Sequence, residues 1–121
     1  MPRPSAASID EYLAALEPAK AELLGALRLR LRNLLPTEVT ECISYQMPAL
    51  RLERVFLYYA AFKDHLGIFP PVTGDAALAA DLAPYRGPRG NLRFAFNKPI
   101  PWELIDRVAL ALFAEFARKA K

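Results

Sequence analysis

Arg54 to Phe69 reads Arg-Val-Phe-Leu-Tyr-Tyr-Ala-Ala-Phe-Lys-Asp-His-Leu-Gly-Ile-Phe, and it decides the fold. From Arg54 to Lys63 it is apolar at both parities, the pattern of a strand with both faces covered. Lys63-Asp64-His65 supplies turn chemistry, and Leu66-Gly67-Ile68-Phe69 resumes the apolar run before Pro70-Pro71. Two apolar runs around a polar turn predict an antiparallel hairpin.

On the N-terminal side, Val39, Cys42, Ile43, Tyr45 and Met47 form a β-prone stretch. It predicts a strand near Cys42 to Gln46, ended by Pro48. Further out, Ser8-Ile9-Asp10-Glu11 has the spacing of a capping box opening a short helix to about Glu17. Pro18 suits the first turn of a second helix, in which Leu23, Leu27, Leu31 and Leu34 recur at helical spacing as far as Pro36. Within it, Leu27 to Arg32 alternates Leu and Arg with period two, which alone would read as a strand. The absence of β-branched and aromatic residues there favours the helix.

On the C-terminal side, Thr73 is a candidate cap for a helix through Ala83, closed by Pro84. Tyr85 to Gly90 is rich in breakers, and Asn91 to Phe96 alternates Leu92, Phe94 and Phe96 against Arg93 and Ala95, a strand with one face inward. Pro101 precedes a last helix with Ile105, Val108, Leu112 and Phe116 on one stripe and a basic end at Arg118-Lys119. The order predicted is helix, helix, three strands, helix, strand, helix. This is an α+β domain with an antiparallel sheet of about four strands flanked by helices.

A chain of 121 residues, 54% hydrophobic and 24% charged, suits one globular domain. Residues 8–121 are expected to form it, with Met1 to Ala7 a disordered tail. A net charge of +3 is short of the dense cationic face that phosphate-backbone binding needs, so no nucleic-acid partner is expected. No apolar run reaches the ~18 residues of a membrane span, and no signal-peptide apolar region opens the chain. The single cysteine, Cys42, cannot form an internal disulfide, which suits a reducing, cytoplasmic compartment.

Motifs for chemistry are few. There is no phosphate-binding or dinucleotide glycine loop, no nucleophile elbow, no zinc-protease motif and no paired CxxC. His65 is the most versatile side chain, able to act as base, acid or ligand, or simply to sit solvated beside a turn. Cys42 has acidic Glu38 and Glu41 nearby rather than an activating cation, and reads as packing. Tyr45, Met47, Tyr58, Tyr59, Phe62, Phe69, Phe94 and Phe96 make an aromatic-rich sheet that lines either an apolar pocket or plain core. Between Asp81 and Glu103 lie four basic residues, Arg86, Arg89, Arg93 and Lys98, and no acid. Such a segment either holds a carboxylate or phosphate or balances acids elsewhere.

At Ile43-Ser44-Tyr45-Gln46-Met47-Pro48 and Ala60-Ala61-Phe62-Lys63-Asp64-His65-Leu66-Gly67 the chain resembles the YdhG-like family, a bacterial domain of unknown function. Ile9 to Tyr12 and the lead Lys98-Pro99-Ile100-Pro101 fit the same pattern, which spans about residues 8 to 118. Gln46 stands where similar proteins commonly have Gly, and Ala49-Leu50 where an aromatic often follows Met-Pro. The resemblance implies an antiparallel sheet flanked by helices. It also implies an alternative role, since some YdhG-like proteins are described as frataxin-like iron chaperones that deliver Fe to a partner protein. Asp10, Glu11, Glu17 and Glu22 would supply only a thin acidic face for that on an otherwise basic chain.

The reading favoured by the residues is a small binding domain without catalysis or resident cofactor. In it Tyr45, Met47, Lys63 and His65 border a cleft at the sheet edge, and Arg86, Arg89, Arg93 or Lys98 meets the anionic group of a small ligand. A protein partner is the other expected occupant, and the chain is expected to be a monomer or weak homodimer. An enzyme using His65 as general base and an interaction protein using the last helix are the remaining readings.

Overall fold

The computed structural model describes residues 7–88 and 91–117. The tail read at Met1 to Ala7 therefore falls outside them except for Ala7, as do Arg89 and the basic end at Arg118-Lys119.

The first helix, α1 (Ile9–Ala14), is capped by Ser8, whose Oγ accepts the Glu11 N–H at 3.2 Å. Glu11 reaches back one residue further than a standard box and accepts the Ala7 N–H at 2.6 Å. The helix ends three residues before Glu17 because the residue preceding a proline is driven out of the α region. Glu17 has φ −58° and ψ 146°. Pro18 then opens α2 (Pro18–Leu34), which buries Leu24, Leu27 and Leu31.

The Leu/Arg alternation is helical, and its arginines explain it. Leu29 is 60% exposed, while Arg28 and Arg30 flank the buried stripe and tie the helix to its neighbours. Arg28 grips Glu41 with Nε and Nη2 at 2.7 and 3.0 Å and Asp10 with Nη1 at 2.6 Å. Arg30 grips Asp106 in the same two-pronged way at 2.7 and 2.8 Å.

Five strands form one antiparallel sheet in chain order, β1 (Thr40–Ser44), β2 (Met47–Arg51), β3 (Val55–Ala61), β4 (His65–Phe69) and β5 (Leu92–Ala95). The strand added to the predicted order is β2. The strand placed at Cys42 to Gln46 stops at Ser44, and Tyr45 and Gln46 make a two-residue hairpin turn with φ of 52° and 62°. Positive φ at both positions is the turn that matches strand twist, normally written with Asn or Gly. Pro48 lies inside β2 opposite Ile43, and the ladder to β3 starts one residue later at Ala49↔Tyr58, so its missing N–H interrupts no described pair.

The predicted hairpin is β3 and β4, closed by the Phe62 N–H donating to the His65 carbonyl at 2.9 Å. Between β4 and β5 comes α3 (Ala76–Leu82), followed by a 3-10 turn at Ala83–Tyr85. Its cap is Asp75, which accepts the Leu78 N–H at 3.0 Å, and not Thr73. The Thr73 hydroxyl instead donates to Glu115 on α4 (Trp102–Phe116), drawn there by a carboxylate that a two-residue shift in cap position leaves within reach.

The helices bind one another through Arg28–Asp10, Arg30–Asp106 and Arg107–Asp81 and cover one face of the sheet. Tyr59↔Ile68↔Leu92 and Ala61↔Leu66↔Phe94 cross the strands on that face. The alternate residues, Tyr58↔Phe69, Ala60↔Gly67↔Arg93 and His65↔Ala95, therefore occupy the other face, which the helices leave open. The apolar run of β3 predicts cover on both faces, and helices supply it on one only. Its second face is instead shielded by its own small residues and neighbouring rings, with Ala60 and Gly67 buried beneath them.

Two stability effects follow. Gln46→Gly removes a side chain from a left-handed backbone position and is expected to stabilise the fold by up to about 1 kcal/mol in urea unfolding. Tyr59 is fully buried and its hydroxyl has no hydrogen-bond partner among the described residues. Tyr59→Phe should therefore leave the melting temperature unchanged or raise it, whereas loss of more than about 1 kcal/mol would mean that the hydroxyl is paired.

Candidate functional site

On the open face the hairpin delivers Phe62 and His65 side by side, with rings 4.9 Å apart and 20° from parallel. Phe69 meets Phe62 edge-on, at 6.3 Å and 78°. This arrangement needs Gly67. A Cβ at that position would lie 2.6 Å from Phe62 Cε2, so any larger residue would push the ring aside. Phe62 stays 40% exposed even so.

Arg93 stands on β5 opposite Gly67, diagonal to His65. Its stem passes close to Gly87, where a Cβ would be 2.7 Å from Arg93 Cδ, so the loop after the 3-10 turn confines the side chain. Gly87 is held by its N–H donating to the Asn91 carbonyl at 2.7 Å.

The polar contacts sort themselves by distance. His65 Nδ1 is 2.7 Å from Asp64 Oδ1, too close for two lone pairs, so the proton sits on Nδ1 and is donated to the carboxylate. Arg93 Nη2, at 3.4 Å from that nitrogen, then faces a donor and gains no acceptor from it. Its nearest carboxylate is Asp64, at 4.0 Å. The His65 bond, followed by the imidazole and Arg93 charges, holds the Asp64 carboxyl below the usual range. Arg93 thus carries a planar set of donors with 43% side-chain exposure and, among the described residues, only these long contacts.

Two shallow concavities meet at this pair. One, of about 280 Å³, is walled by Phe62, Phe69, Pro88 and Leu92, with His65, Gly87, Asn91 and Arg93 completing it. The other, of about 340 Å³, lies between Asp64, His65, Arg93, Ala95, Phe96 and Asn97. The first contains a cation and no acid; the second contains Asp64.

Of the sequence candidates, the structure brings His65 and Arg93 together and scatters the rest. Tyr45 and Met47 share the open face but line neither concavity. Tyr45 is 82% exposed on the β1–β2 turn, its ring 5.9 Å from Tyr58. Lys63 is exposed in the hairpin turn and Lys98 is exposed beyond β5; neither lines either of these two concavities. Arg86 turns inward, donating from Nη2 to the Val72 carbonyl at 3.2 Å. Arg89 lies outside the described residues.

Asp64 and Asn91 belong to the site without having been singled out. Pairing His65 with Ala95 and Gly67 with Arg93 would have found them, but that register is invisible before β5 is docked.

Cys42 is half-buried, and that burial pushes its thiol up, partly offset by Arg51, as a packing residue requires. The acidic residues of the first helices are spent separately. Asp10 pairs with Arg28, Glu11 caps α1, and Glu17 lies 3.5 Å from Lys20. Among the described residues no three His, Cys, Asp or Glu side chains gather in a way that could hold a metal ion. No helix among them is long and apolar enough to cross a membrane.

A five-stranded antiparallel meander with helices on one face is also the architecture of a known protein. The crystal structure of YdhG from Bacillus subtilis, a protein of the DUF1801 family, matches this chain with a TM-score of 0.80, covering 94% of each chain at 19% identity. The chain therefore has the YdhG-like fold, in agreement with the resemblance carried by its hairpin motifs. No family model matches the sequence, and no curated protein matches it.

The Asp64–His65 bond gives a titration test. Because it favours ionised Asp64 in the folded chain, its contribution to stability is present above the unfolded carboxyl's titration and lost as pH falls through the lower folded one. Asp64 is 76% exposed, so the stability change is small and the titration itself is the better readout. In His65→Leu the Asp64 carboxyl, followed by NMR, should titrate at higher pH than in the parent; an unmoved titration would mean the bond is not formed.

Proposed function

We propose that this chain is a small, non-catalytic binding domain that holds the anionic group of a small ligand on Arg93, where β4 meets the edge strand β5. One observation carries the reading: a half-exposed guanidinium whose nearest carboxylate among the described residues is 4.0 Å away stands over a concavity that, among those residues, contains no carboxylate. An arginine whose internal contacts are this long, at a concave, ring-lined edge, is best explained by an acceptor supplied from outside. His65, oriented by Asp64, and the Phe62 ring complete the rim. The reading needs no metal or cofactor and places the protein in the reducing cytoplasm, where Cys42 remains a thiol.

Titrating ¹⁵N-labelled protein with sodium acetate against sodium chloride at equal ionic strength tests it. Saturable shifts are expected at Phe62, His65 and Arg93. They should vanish in Arg93→Met and persist within about twofold in Lys63→Met, since exposed Lys63 lines neither of the two concavities. Shifts that never saturate, or that survive Arg93→Met, would remove the site.

A further inference from the structure

We infer that the ligand is a flat aromatic monocarboxylate, its carboxylate on Arg93 and its ring against Phe62. This inference rests on the anion-binding reading and adds the class of molecule.

Charge limits the anion first. Among the described residues, the concavity walled by Phe62 and Phe69 offers one guanidinium and no second Lys or Arg. Across the His65–Arg93 divide stands ionised Asp64, which would repel a second negative charge. One cation flanked by an acid selects a monoanion over a phosphate ester. A guanidinium also presents two parallel N–H donors in a plane, the geometry a carboxylate accepts.

Shape limits the rest of the molecule. Gly67 leaves room for the Phe62 ring, which is 40% exposed, and Phe69 stands at 78° to it. Two rings near a right angle admit a planar group that can be stacked on one and edge-on to the other, the two geometries aromatic pairs prefer. A saturated ring or branched chain could touch both walls but would match neither. At about 280 Å³ the space falls just short of the ~300 Å³ at which drug-sized sites begin, so the ligand is small. Confinement of the Arg93 stem by Gly87 pre-positions the fork, which lowers the ordering cost of capture.

The test compares 2-naphthoate, cyclohexanecarboxylate, acetate and inorganic phosphate by the same NMR titration. Naphthoate should bind about tenfold more tightly than cyclohexanecarboxylate, the largest factor that aromatic geometry adds beyond area burial. Phe62→Leu should erase that preference while leaving the acetate response intact. Gly67→Ala, which lifts Phe62, should do the same. Arg93→Lys, which keeps the charge but loses the fork, should weaken naphthoate, and its amide spectrum reports that it is folded.

Equal binding of naphthoate and cyclohexanecarboxylate, both dependent on Arg93, would overturn the aromatic class and leave the anion site standing. Phosphate binding more tightly than every carboxylate would do likewise. Naphthoate binding that survives Arg93→Met, or no saturable response to any of the four, would overturn both.

Discussion

The pairing of Tyr59 with Ile68 sets the register on which everything else depends. Side chains alternate faces along a strand, so a slip of one residue in this hairpin would exchange its two faces completely. In the observed register Tyr59, Leu66 and Ile68 go beneath the helices, while Gly67 comes to the open face two positions from His65. Phe62 can then lie across the backbone, and His65 stacks on Phe62. A slipped hairpin would put the glycine in the core and expose Leu66 and Ile68 to water.

Arginines hold the other layer to that sheet. Arg28 joins α1, α2 and β1 through Asp10 and Glu41, and Arg30 joins α2 to α4 through Asp106. These half-buried, two-pronged pairs give direction to helices whose apolar contacts alone would permit some sliding. They also show why charge counts misjudge function. Most of the basic residues whose partners are visible are engaged in architecture, including Arg86 on the Val72 carbonyl, and Arg93 is conspicuous because its contacts are long.

A likeness to YdhG at 19% identity defines the backbone plan and leaves the chemistry to the side chains. Asp10, Glu11 and Glu17 are individually committed to a cap and to ion pairs. The open face of the sheet, by contrast, offers rings and a guanidinium at one corner. Any role common to chains of this fold has to be sought residue by residue on that face.

Much was legible in the residues alone. The β3–β4 hairpin, both long helices, β5 and the Ser8 cap all follow from periodicity, prolines and turn chemistry, because those signals are local. β2 was not legible, since Tyr45-Gln46 carries none of the usual turn residues and Pro48 argues against a strand until the ladder to β3 is seen to begin only at Ala49. Nor could composition reveal that Arg86 faces inward while Arg93 stays available, or that Gly67 exists to make room for Phe62. Those facts depend on which strands become neighbours, and neighbourhood is a property of the docked sheet. The sequence by itself thus determined the elements and their apolar faces. Tertiary structure alone decided which charges are spent on the fold and which remain for a ligand, because only packing brings donors and acceptors within reach of one another.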